Sequence, residues 1–318
     1  MARVVVIGAT GHVGGYLVPR LVRAGYDVVA VSRGEASPYR DDPAWRDVER
    51  RQLDRSALEA DAGFGAEIAA LGGDIVIDLI CFTLASARQL VEAVADDLDL
   101  LVHIGTVWTH GHSVAVPTPE DAVKKPFGDY GIAKAEVEAY LLRQARREGL
   151  PVTVVHPGHI VGPGWVPLNP AGHFNPETYA TIARGELLTL PNLGLETVHH
   201  VHADDVAGVV MATMAHRQQS IGESFHAVSE QALSLHGYAE EMYRWFGREP
   251  RLDFLPYAEW AVDRDPDEAS ATWDHIAHSP CCSMAKARRL LDFRPRYSSL
   301  EAVQESVTWL IANGRLAV

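Results

Sequence analysis

The chain has 318 residues, 47% of them hydrophobic and 22% charged, a balance that excludes a disordered or fibrous protein and leaves ample core for one large two-lobed body. Twenty-eight basic residues against 42 acidic ones give a formal net charge of -14, which argues against a broad nucleic-acid or membrane surface and obliges any anionic ligand to find locally placed donors. Three cysteines (Cys81 and the adjacent Cys281 and Cys282), a start directly in a strand-like run and no membrane-length apolar segment point to a cytoplasmic protein without a disulfide framework.

RVVVI, residues 3–7, reads as a buried strand and runs into GATGHVGG, Gly8 to Gly15, which opens a helical stretch ending near Gly25. DVVAVS at 27–32, DIVIDLI at 74–80, LLVHIG at 100–105 and PVTVVH at 151–156 are further strands separated by helix-length segments. That alternation predicts an α/β fold, a doubly wound parallel (Rossmann) sheet with helices on both faces. Beyond Pro157 the segment GPGWVPLNPAGHFNP at 162–176 is too rich in proline and glycine for regular structure. TVHHVH at 197–202 reads as another strand, and YAEEMYRWFG and LEAVQESVTWLIANG as amphipathic helices. We therefore expect a nucleotide-binding domain over residues 1–162, with 196–230 returning to it, and a smaller, mainly substrate-binding lobe over 163–318.

Gly8, Gly11 and Gly14 recur every three residues at a strand-to-helix junction, where missing side chains let the backbone approach a pyrophosphate. Thr10, His12 and Val13 complete that turn; a purely steric role for the glycines is the alternative. The second strand ends in Ser32 and Arg33, where an acidic residue would hold the ribose hydroxyls of NAD. An arginine there can pair with a 2'-phosphate, so NADP is preferred and NAD possible, unless Arg33 is only a solvated surface charge. Asp54 touches the adenine edge or merely serves a turn, and Leu79, Ile80 and Cys81 follow the strand that would border the cofactor. Cys81 also reads as a small buried residue.

DYGIAKAEVEAYLLRQA places Tyr130 and Lys134 four apart, on one face at the head of a helix. A phenol with a reference pKa of about 10 becomes useful for proton transfer near neutrality when an ammonium favours the phenolate. Thr106, at the carboxyl end of LLVHIG, supplies a hydroxyl at the sheet edge where doubly wound folds bind ligands.

The ordered set of GATGHVG, DIVIDLI, GTVWTHG, YGIAK, HPGHIVGPG, VHADDVA and KARRLLDFRPRYSSLEAV resembles the extended short-chain dehydrogenase/reductase family, the NAD(P)-dependent epimerase/dehydratase group, over nearly the whole chain. The resemblance implies that Thr106 orients the substrate oxygen and that Tyr130 is the acid or base. It implies too that Lys134 holds the nicotinamide ribose, that Pro157 and Gly158 line the nicotinamide side, and that the protein is a homodimer. Two departures matter. Dehydratases of the family carry Thr-Asp-Glu where this chain has Thr106, Val107 and Trp108, so elimination chemistry is disfavoured. The arginine by which epimerases often hold a substrate diphosphate is replaced in LETVHHVHADDVA by Glu196, Thr197 and Val198, with Arg184, Arg251, Arg288 or Arg289 as the candidate substitutes.

Trp108, His110, His159, Trp165, His173 and Phe174 are the expected pocket walls, with Trp108, His159 and Phe174 touching substrate alongside Thr106. His200, His202, Asp204 and Asp205 resemble metal ligands, but the family needs no metal and none is expected. The leading reading is an NADP-dependent oxidoreductase acting at a carbonyl or secondary alcohol carbon of a sugar-like or other small hydroxylated substrate. The alternative is an NAD(P)-dependent sugar or nucleotide-sugar epimerase that keeps its cofactor tightly bound. A non-catalytic ligand or RNA binder on the same fold comes third.

Overall fold

The computed structural model describes residues 1–318. Its centre is built from short runs dominated by valine, isoleucine and leucine that are buried on both faces, the condition for interior strands of a parallel sheet. These are β1 (Arg3–Ile7), β2 (Asp27–Ser32), β4 (Ile75–Asp78), β5 (Leu100–Ile104) and β6 (Val152–Pro157). β3 (Glu49–Gln52) forms one edge and Ser224–Ala227 the other.

All seven strands are parallel, in the order Ser224–Ala227, β6, β5, β4, β1, β2, β3. The chain therefore winds outward in one direction from β1 and then returns to its other side with β4, which opens a crevice at the carboxyl ends of β1 and β4. Alternation along β1 divides the core: Val4 and Val6 pack with the helices Gly14–Arg23 and Ala203–Ala215, and Val5 and Ile7 with Leu84–Val94 and Gly128–Glu148. A separate apolar cluster draws entirely on residues between Val161 and Leu316.

Both edge strands escape the sequence pattern. ERRQ in β3 has no apolar alternation, because an edge strand exposed to solvent needs only its backbone pairing with β2. SFHA at 224–227 is too short to stand out. TVHHVH is not the single strand expected. Thr197–Val198 pairs antiparallel with Leu233–Ser234, and His200–His202 pairs parallel with His159–Val161. His199 separates them, its imidazole accepting from the Cys282 N–H at 3.0 Å and donating to the Ser229 carbonyl at 2.8 Å.

The irregular 162–176 segment is tied to the last long helix, Ser299–Ala312, where the Ser306 hydroxyl meets the carbonyls of Gly162 (3.0 Å) and Trp165 (2.5 Å). This fixes the segment beside the glycine turn. No helix is long and apolar enough to cross a membrane.

Candidate active site

Gly8 leaves β1 with φ +84°, and a Cβ on Gly14 would overlap the backbone of Ala9, so neither position accepts a larger residue without strain. The helix that begins at Gly14 has no side-chain cap and no acidic residue in its first turn. The backbone N–H groups of His12, Val13 and Gly14 have no backbone acceptor. An anion at this end would meet unpaired donors and the positive pole of the helix. His12 sharpens the point: it is 7% exposed, and neither ring nitrogen has a hydrogen-bond partner. Burial pushes its pKa down to about 4.

From this turn a cavity of about 550 Å³ runs along the crevice. Gly8, Gly11, His12, Val13 and Gly14 form one end, with Leu79 and Ile80 across from them at the end of β4. Thr106, Trp108, Tyr130 and Lys134 line the middle, and Pro157, Gly158, His159 and Phe174 close the far side. The sequence thus placed these residues on one wall system although they are spread over most of the chain.

Thr106 ends β5 and caps the short turn Val107–His110, its hydroxyl oxygen accepting the Trp108 N–H at 3.3 Å. Tyr130 and Lys134 project from the first turns of the Gly128–Glu148 helix. Lys134 is only 2% exposed, and its Nζ donates to the carbonyls of Cys81 (2.7 Å) and Ile104 (2.8 Å). Burial lowers its pKa to about 8, opposed by the nearby Asp78 and Cys81. The expected acidification of Tyr130 by Lys134 does not occur. Desolvation at the cavity wall raises the Tyr130 pKa above its ordinary value, opposed by a hydrogen bond with the Thr106 side chain, and the Lys134 protons are directed at backbone carbonyls rather than at the phenol.

Other expected residues lie outside the cavity wall. Thr10 belongs to the turn without lining it. The Ser32 hydroxyl accepts from Gly34 N at 3.3 Å, and Arg33 stands in solvent, paired with Glu35 at 3.0 Å. Asp54 caps the helix Arg55–Ala60 through Ala57 N. Cys81 is buried and contributes its carbonyl to Lys134, its thiol pushed up to about 12 by burial. Trp165 does line the cavity, but His110 and His173 do not: His110 bonds His226 at 2.8 Å between Nε2 atoms, and His173 accepts at Nδ1 from Asn169 and Asn175.

None of Arg184, Arg251, Arg288 and Arg289 reaches the cavity, so Lys134 is the one lysine or arginine in its wall. His200, His202, Asp204 and Asp205 are spent on structure. His200 bonds the Leu168 carbonyl, His202 accepts from Asp204 N, Arg20 and Arg296 hold Asp204, and Asp205 accepts two backbone N–H groups. Asp78, Cys81 and His103 also converge, but Arg55 holds both oxygens of Asp78, at 2.8 and 2.9 Å, and leaves no charge for a metal.

Sequence reasoning missed Phe82 and His275. Phe82 sits 4.8 Å from the Lys134 ammonium, and as the residue after Cys81 at a strand end it was within reach of the motif argument. His275 comes from the helix Pro266–His278 and stacks obliquely near His159, with centroids 4.6 Å apart. Nothing in its local sequence signals that destination.

A sequence profile of the NAD dependent epimerase/dehydratase family matches residues 4–227. The chain belongs to this family. Membership makes it an NAD(P)-dependent enzyme of the oxidoreductase and epimerase type, and the glycine turn with its unpaired donors fits a dinucleotide. The chain is 28% identical to the 2'-dehydrokanamycin reductase of Streptomyces kanamyceticus over 99% of its own length and 86% of that protein. It is 21% identical to the chloroplast stem-loop binding protein of 41 kDa b of Arabidopsis thaliana, over 96% and 78% of the two chains. The solved UDP-glucose 4-epimerase of Thermotoga maritima shares the fold at a TM-score of 0.74 and 20% identity, covering 98% of this chain and 99% of the other.

Proposed function

We propose that the protein is an NADP-preferring reductase of a ketone on a small, polyhydroxylated ring, working through Thr106, Tyr130 and Lys134. The observation that carries this reading is the convergence of those three side chains on one cavity that begins at the glycine turn. The wall holds no arginine for a substrate diphosphate, and its aromatic and neutral imidazole groups suit an uncharged or amine-bearing ring. The relative named for reducing 2'-dehydrokanamycin agrees with that substrate class.

The nicotinamide, when bound, supplies the hydride. Everything else falls to the chain. The unpaired N–H groups at His12, Val13 and Gly14 would hold the pyrophosphate, and Pro157 and Gly158 would bound the nicotinamide pocket. Thr106 accepts a hydrogen bond from Trp108, so its O–H remains a donor, turned toward Tyr130 and in place to be shared with the substrate oxygen. Tyr130, its pKa raised, rests as a neutral phenol and is poised to give a proton to that oxygen, the direction a reduction requires. Lys134 holds the ends of β4 and β5 in register and presents a positive edge to the ribose hydroxyls. Trp108, His159 and Phe174 would grip the substrate ring.

Arg33 would pair with the 2'-phosphate after leaving Glu35. We divide the chain near residue 162 into a nucleotide-binding domain, rejoined by 196–230, and a substrate-binding lobe, and take the working form to be a cytoplasmic homodimer. Sedimentation of the purified protein tests the dimer.

The decisive experiment follows NADPH consumption across a panel of ring ketones with wild type and Tyr130→Phe. The variant should bind NADPH normally and lose turnover by about 10²-fold or more; wild-type rates in the variant would overturn the assignment. Oxidised cofactor released on denaturation in stoichiometric amount, and never exchanged during turnover, would instead assign an epimerase. The acidic composition and the intact Thr106, Tyr130 and Lys134 set stand against a stem-loop-binding role such as the chloroplast relative's name describes.

A further inference from the structure

Beyond Tyr130 and Lys134, the Gly128–Glu148 helix carries Glu138, one further turn along the same face and 2% exposed. Its carboxylate accepts from His156 Nε2 at 2.9 Å and is also paired with Lys124. His156, fully buried at the end of β6, receives the backbone N–H of Thr106 at Nδ1, 3.0 Å away. The two bonds together fix the tautomer: Nδ1 must be the acceptor, so the proton sits on Nε2 and points at Glu138. A Cβ on Gly105 would overlap the His156 ring, so the glycine before Thr106 is what lets the imidazole slide beneath the strand end.

We propose that Glu138 and His156 are positioning residues for the reaction, a buried relay by which the helix bearing Tyr130 sets the orientation of Thr106. The same helix grips the end of β5 twice. Lys134 holds the carbonyl of Ile104 directly, and Glu138 holds the N–H of Thr106 through His156. Between these two anchors lies the peptide that aims the Thr106 hydroxyl into the cavity. With both in place, phenol and hydroxyl keep a fixed mutual geometry and can address one substrate oxygen. If the imidazole is lost, the Thr106 N–H is left buried without an acceptor, and the strand end must rotate to find one.

This inference rests on the reductase reading, and the test separates the two. His156→Phe and Glu138→Ala should bind NADPH with unchanged affinity while kcat falls about tenfold or more and the substrate KM changes less. Glu138→Gln, whose amide oxygen can still accept from Nε2, should recover most of the lost kcat. Variants that bind cofactor and keep kcat within twofold of wild type, or a Gln variant no better than Ala, would overturn the relay. A second measurement needs neither substrate nor variant. Nitrogen-15 NMR of imidazole-labelled wild-type protein should show Nδ1 of His156 unprotonated and Nε2 protonated, and a protonated Nδ1 would overturn the relay even where a variant failed to fold. Failure of the reductase reading would show differently, as wild type inert toward every ketone with the His156 tautomer intact.

Discussion

The indole of Trp165 lies flat on the imidazole of His12, with ring centroids 4.8 Å apart and planes within 18°. One ring belongs to the glycine turn and the other to the irregular segment after β6, so the pair spans the glycine-turn end of the crevice. A dinucleotide entering beneath it must change the surroundings of both rings. Titration with NADPH should alter tryptophan emission, and Trp165→Phe should remove most of that change. His12→Ala should weaken NADPH binding by about three- to tenfold, the worth of one hydrogen bond to a charged group. An emission change that survives undiminished in both Trp165→Phe and Trp108→Phe would place the cofactor elsewhere.

Arg33 is exposed and held only by Glu35. Exposed pairs contribute little, so the guanidinium is available to a stronger anion at small cost. Arg33→Asp should reduce the NADP-over-NAD preference by about ten- to 100-fold, read as the ratio of kcat/KM values. An unchanged ratio would show that another group reads the phosphate.

Burial of the Lys134 ammonium has a stability signature. The native pKa is about 8, whereas the unfolded chain keeps the ordinary value near 10.5. Below pH 8 both states hold the proton and the full cost of burial is present. From pH 8 upward the native state releases it first, the unfolded state binds more protons, and stability rises by up to about 1.4 kcal/mol per pH unit. Urea midpoints of wild type and Lys134→Met at pH 7 and 9.5 should therefore diverge in favour of wild type as pH rises. A constant difference would show that the amine is solvated.

The interior imidazoles act in the opposite pH range. Burial holds His12, His199, His202 and His275 near pKa 4 and His110 and His200 near 3, with His103, His159 and His226 also well below the ordinary value. As pH falls through the unfolded value near 6.5, the unfolded chain gains protons that the native state refuses, and stability is lost down to the native values. Urea midpoints between pH 6.5 and 4.5 should give a slope equivalent to about five or more protons taken up on unfolding. A slope below two would mean that the imidazoles are wetter than the structure shows.

The parts of this molecule that were legible in its sequence are those whose signal is local. RVVVI and GATGHVGG announce strand, turn and helix because each position depends on its neighbours within a few residues. The spacing of Tyr130 and Lys134 on one helix survives for the same reason, as does the place of Thr106 at the end of its own strand. β3 escaped because an edge strand carries no apolar rhythm, and His275 because its place is decided by the packing of a remote helix. His110 and His173 were expected in the cavity from their sequence surroundings, yet their rings turn toward His226 and Asn169 to satisfy buried nitrogens. The raised pKa of Tyr130 comes from desolvation of its phenol at the cavity wall, which no spacing rule states.

Lys134 also has a mechanical side, since of its two carbonyl partners Ile104 ends β5 and Cys81 lies in the loop that leaves the neighbouring β4. Removing the amine unfastens the floor of the crevice as well as taking away the group proposed to hold the ribose. An inactive variant intended to capture a substrate for crystallography should accordingly be made at Tyr130, where one oxygen is lost and the clasp between β4 and β5 stays shut.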